Sequence, residues 1–123
     1  MSPQQHVTTP EEMIRSIIET GMFEGEMQKH IGKMGDAAAV VVTKVFAGRD
    51  LTPLDIKMAL VVVRSAFADP RDLPIEADRQ PRTTFLLLRY LDFSTHDPAL
   101  KQDIAHTRKY VEERYQRSLL PPN

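Results

Sequence analysis

The chain contains no cysteine. That absence excludes disulfides, thiolate–zinc sites, iron–sulfur clusters and a cysteine nucleophile together. Reaction motifs are missing as well: there is no Gly-x-Ser-x-Gly, no Gly-rich phosphate loop and no His-Glu-x-x-His. Ser16, Ser65, Ser94 and Ser118 stand in no context that would activate a hydroxyl, so no catalytic residue is assigned. Apolar runs are short. Met58 to Val63 is among the longest, far from the roughly 20 residues a membrane helix needs. Charge of one sign is not in excess either: 16 basic and 17 acidic side chains leave a net charge of −1. Such a balance offers no general field for nucleic acid or an anionic membrane. Met1 to His6 has neither the basic flank nor the apolar run of a secretory signal, and the expectation is a cytoplasmic protein.

What the chain does have is punctuation. The helix-start signal Thr9-Pro10-Glu11-Glu12 returns as Thr52-Pro53-Leu54-Asp55, 43 residues later, and an Asp97-Pro98 start follows 45 residues after that. In the first two, a Thr hydroxyl can accept from the third helical N–H. Pro has no N–H to waste at the first helical position, and its φ is already close to helical. An acid at the third position favours the positive helix end and can return a bond to the cap.

From these starts the apolar periods predict six helices. The first runs from Pro10 to about Thr20, with Met13, Ile14, Ile17 and Ile18 on one face and Gly21 as its stop. A weaker second covers about 23–34, where Phe23, Met27, Ile31 and Met34 recur. Gly25 and Gly32 each cost it about 1 kcal/mol relative to Ala. Asp36 is read as the cap of a third helix over 37–47. That cap, an Ala-rich first turn and Gly48 favour helix over strand for Val40-Val41-Val42. The fourth, from Pro53 to about Ala68, is apolar on most sides between Met58 and Val63 and is expected at the centre of the fold. The fifth, about 82–93, holds Phe85-Leu86-Leu87-Leu88 and Tyr90-Leu91 and is expected to be mostly buried. The sixth, Pro98 to about Arg117, turns Leu100, Ile104, Val111 and Tyr115 inward.

The expected organisation is a polar arm over 1–8, a single all-α domain over 9–117 and a disordered tail over 118–123, where Pro121-Pro122 cannot continue a helix. Short connections imply about six helices in antiparallel pairs. The segment from Asp69 to Pro81 is long for a helical protein and is the loop singled out for function. The 43-residue spacing resembles the period of HEAT and armadillo repeats. That resemblance implies a short stack of αα-hairpins; Pro-initiated helices alone fit a compact bundle equally well. Counted from each proline, the seventh following residue is apolar in all three units, at Ile17, Leu60 and Ala105.

Four constellations carry candidate chemistry. Glu26 with His30 and Asp103 with His106 each share a helix face, but no Glu-x-x-His occurs, and polar side chains on a solvated helix face explain both pairs without a metal. Between Arg64 and Arg89 every basic residue is Arg, a side chain whose planar fork suits carboxylate and phosphate. Arg71, Arg79 and Arg82 could therefore form an anion site, although Asp69, Asp72, Glu76 and Asp78 interleave with them and local ion pairs explain the pattern. Helices three and four mimic a helix-turn-helix poorly: helix four supplies only Lys57 and Arg64 as strong phosphate partners, and its body is too apolar for a major groove. Last, Met22, Phe23, Met27 and Met34 make the N-terminal helix pair either ordinary core filling or an adaptable partner-facing edge. The leading expectation is a non-enzymatic protein-interaction module (an adaptor, an inhibitor or an immunity-type partner) that uses those four residues on a protein partner or a second copy. The alternative is a small-ligand or anion binder, or a minor enzyme, built on Arg71, Arg79 and Arg82. No cofactor, metal, nucleic acid or membrane is expected.

Overall fold

The start signals become helix caps. A computed structural model describes residues 9–68 and 80–118, among which are α1 (Pro10–Thr20), α2 (Gly25–Ile31), α3 (Asp36–Phe46), α4 (Pro53–Ala66), α5 (Arg82–Ser94) and α6 (Pro98–Ser118). Thr9 Oγ1 accepts from the Glu12 N–H at 3.1 Å. Gly21, at φ +69°, ends α1 by donating its N–H to the Ile17 carbonyl, a left-handed conformation that Gly adopts without strain. At α4 the cap is closed from both sides: Thr52 Oγ1 accepts from the Asp55 N–H at 3.1 Å, and Asp55 Oδ2 accepts from the Thr52 N–H at 2.9 Å. α6 opens on Asp97, whose Oδ1 accepts from the Ala99 N–H at 2.9 Å.

α4 is the centre, as its apolar girth implied. It packs against α1, α2, α3 and α6 and buries Ile56, Ala59, Leu60, Val62, Val63 and Ala66. Each larger side chain among these contributes roughly 1.5–3 kcal/mol by leaving water. α6 lies along it with Leu100, Ile104, Thr107 and Val111 inward. Tyr115 is only half-buried, and Thr107 takes the place in the stripe that the apolar pattern left open. α3, α4, α6 and α5 touch in that cyclic order, and α1 lies against α3 and α4. The result is a helical bundle. Among the described residues, three helices lie between Pro10 and Pro53 and two between Pro53 and Pro98.

Two expectations change. α2 is seven residues long, not twelve. Ile31 is buried, and Gln28 Nε2 donates to the Ser65 carbonyl at 3.2 Å, which ties this short helix to the end of α4. Asp36 is not the cap of its own helix: Gly35, at φ +57°, holds that position. The Asp36 carboxylate reaches across to α5, accepting from the Thr83 N–H at 3.0 Å and from the Thr84 N–H and hydroxyl at 2.7 Å each. Pro81 precedes α5 and offers no side-chain acceptor of its own, so Asp36, 47 positions before Thr83, caps the helix in its place. The start of α3 therefore meets the start of α5.

Candidate functional site

α3 and α5 leave a furrow between them, lined by side chains of both helices. The inner face of α5 is Thr84, Leu87, Leu88 and Leu91, all buried. With α3 on one flank and α6 on the other, nothing described covers the rest. A second apolar stripe at i, i+4 and i+7 therefore stands in solvent: Leu86, Tyr90 and Phe93 are 67%, 48% and 71% exposed. Across the furrow, α3 presents Thr43, Phe46 and Ala47, with Val40, 39% exposed, one turn before Thr43. Between the two lies an open cleft of about 450 Å³ lined by Thr43, Phe46, Ala47, Thr83, Leu86, Leu87 and Tyr90. The few polar atoms there are largely engaged. Thr43 Oγ1 donates to the Ala39 carbonyl at 2.7 Å, and the Thr83 N–H is held by Asp36.

Cations edge the furrow. The Arg89 guanidinium lies 5.8 Å from the Phe93 ring centre and the Arg49 guanidinium 6.0 Å from that of Phe46, within reach of a cation–π attraction. Lys44 and Arg82 are exposed on the outer sides of α3 and α5. The acids on these two helices are Asp36 and Asp92. The first is consumed by the α5 cap, and the second sits 3.5 Å from Lys101 of α6. Asp50, in the turn after α3, is exposed. Arg49 is also drawn to Asp55 at 3.3 Å.

The residues singled out from sequence fall elsewhere. Met22 is 60% exposed and lies next to Gly21, whose surroundings include the exposed Leu54. Phe23, Met27 and Met34 are half-buried and pack on the core. Of the arginines, Arg82 is exposed at the start of α5, and Arg71 and Arg79 lie outside the described residues. His30 and His106 are both exposed, Asp103 is 2.8 Å from Arg64, and among the described residues no three His, Asp or Glu side chains converge to hold a metal ion. No helix of the described residues is long and apolar enough to cross a membrane. Among them, too, every buried side-chain nitrogen and oxygen has a partner.

Sequence reasoning missed Val40, Leu86, Tyr90 and Phe93 as a surface. The signal was present in the 86, 90, 93 spacing, which is offset around the helix from 84, 87, 88 and 91. Comparison of the chain with protein-family models, with curated proteins and with solved structures gave no match.

Proposed function

We propose that the protein is a non-enzymatic, cytoplasmic protein-interaction module whose docking face is the α3–α5 furrow. The observation that carries this reading is the solvent-facing Leu86, Tyr90 and Phe93 stripe beside Val40. Together these four side chains expose on the order of 400 Å², the size of the largest apolar patch a monomer usually tolerates, and such patches are often functional. The other large apolar side chains that stand exposed among the described residues, Met22 and Leu54, form a smaller patch near the α1–α2 turn. Supporting the choice of class are the absence of activating motifs in the sequence and the engagement of the buried polar groups described.

Phe93→Ser and Leu86→Ser are the test. Both positions are exposed, so each variant is expected to melt within about 0.5 kcal/mol of the parent and to lose a partner that the parent retains. A thermal-shift panel of nucleotides, inorganic phosphate and divalent metals runs alongside and is expected to leave the melting temperature unchanged. Stabilisation by any of them, together with a partner insensitive to both substitutions, would overturn the proposal.

A further inference from the structure

Three features of the furrow define its occupant. The first is shape. The stripe from Thr83 to Phe93 extends about 15 Å along α5 at 1.5 Å per residue, and Val40 and Phe93 extend it beyond the side chains that line the cleft. A small molecule would fill the cleft and leave both ends wet. A helix laid along the stripe covers its whole length, presenting anchors at i, i+4 and i+7 to Leu86, Tyr90 and Phe93.

The second is area. A stable dimer needs about 800 Å² from each partner, roughly twice what this stripe exposes. A second copy would also have to bring an unpartnered apolar helix face, and α5 itself is the helix that exposes one. Stacking α5 on α5 brings Arg82 and Arg89 of both copies to one interface, where like charges repel.

The third is charge. Lys44, Arg82 and Arg89 edge the furrow, while the acids on α3 and α5 are consumed by Thr83, Thr84 and Lys101. The stripe is thus apolar in its floor and positive at its edges, although the chain as a whole carries a charge of −1. Complementarity of this kind selects among partners by sign.

We infer that the α3–α5 furrow receives an amphipathic helix of another protein, apolar on its buried face and rich in Glu or Asp along both flanks. This rests on the docking-face reading above and adds to it the chemistry of the partner. Apolar anchors seat on Leu86, Tyr90 and Phe93, and flanking carboxylates meet Arg89 on one side and Lys44 on the other.

Two synthetic helices of about 15 residues test it, both with Leu at i, i+4, i+7 and i+11. One carries Glu at the flanking positions and the other carries Lys. With the full-length protein, the Glu peptide is expected to bind in fluorescence anisotropy, and the Lys peptide at least about tenfold more weakly. Raising salt from about 0.05 to 0.5 M should weaken the Glu peptide several-fold, because rim charges are screened. Phe93→Ser should abolish binding without changing the melting temperature. Lys44→Glu with Arg89→Glu should invert the preference between the peptides, a gain of function that a merely damaged fold cannot produce. Equal binding of both peptides, lost in Phe93→Ser, would overturn the acidic partner and leave the docking face standing. Light scattering that finds the parent dimeric and Phe93→Ser monomeric would do the same, since a second copy then fills the furrow. Binding of neither peptide by a monomer whose natural partners ignore Phe93→Ser and Leu86→Ser would overturn both readings.

Discussion

Asp36 offers the sharpest test of the architecture, because its two possible roles predict different outcomes for one substitution. As the cap of its own helix it would be replaced by Ser at almost no cost, since Ser and Asp are near-equal N-caps. In the structure it is 6% exposed and accepts three hydrogen bonds from the start of α5. A Ser hydroxyl is too short to reach Thr83 and Thr84. Removing the carboxylate strands the Thr84 N–H and weakens the hold on its hydroxyl, and each buried donor left alone costs about 1–3 kcal/mol. Loss of a negative charge at a helix N-terminus adds about 0.5–1 kcal/mol. Asp36→Ser and Asp36→Ala should therefore each destabilise by about 3 kcal/mol, a large share of the 5–15 kcal/mol typical of a domain. With a urea m-value of about 1.5 kcal/mol/M for a chain of this size, the midpoint should fall by about 2 M. Combined with Thr84→Val, the effects should be strongly non-additive, because both substitutions break one network. An Asp36→Ser variant within about 0.5 kcal/mol of the parent would refute the crossed cap.

Leu60→Asp should unfold the protein or lower its melting point severely, as it would bury an unpaired carboxylate in α4; a soluble variant with parental melting would place α4 at the periphery. Thr52→Ala should cost about 1–2 kcal/mol because both halves of its capping box are formed, and Thr9→Ala about 0.5–1 kcal/mol; denaturant titrations showing the reverse order would contradict that ranking. In α2, Gly25→Ala should stabilise by about 0.5–1 kcal/mol, since a Cβ there meets nothing within 4 Å. Gly32→Ala should destabilise, because its Cβ would come within 2.9 Å of the Gln28 carbonyl oxygen; equal melting of the two glycine variants would count against the described packing of α2.

Most helix boundaries were legible because local chemistry decides them. Thr9, Thr52 and Asp97 cap the helices they precede, and Gly21 ends the first as its place in the pattern implied. Periodicity also found the core of α4, whose apolar girth has only one physical explanation. What the pattern could not say is which of two apolar faces a helix buries. Residues 84, 87, 88 and 91 and residues 86, 90 and 93 are both coherent stripes on α5, and only the positions of α3 and α6 decide between them. Asp36 was misassigned for a related reason: a carboxylate beside a helix start looks local, while its true partners are 47 and 48 residues away. In α2 the Phe23 and Met34 pattern outran the helix, since side chains can reach the core from the turns that flank it.

The seat of α6 on α4 has a consequence for the order in which the chain is made. Of the described helices α6 is the last to leave the ribosome, and it alone supplies Leu100, Ile104 and Val111 to the flank of α4, with Arg64 donating to Thr107 at 2.9 Å. Elongation at about 5–20 residues per second leaves that flank bare for a few seconds while the last twenty-one residues of helix emerge. During that interval the nascent protein offers an apolar surface meant for its own interior, alongside the one α5 keeps for good. Chaperones meeting the chain before α6 docks would therefore find an apolar flank that disappears once α6 is seated.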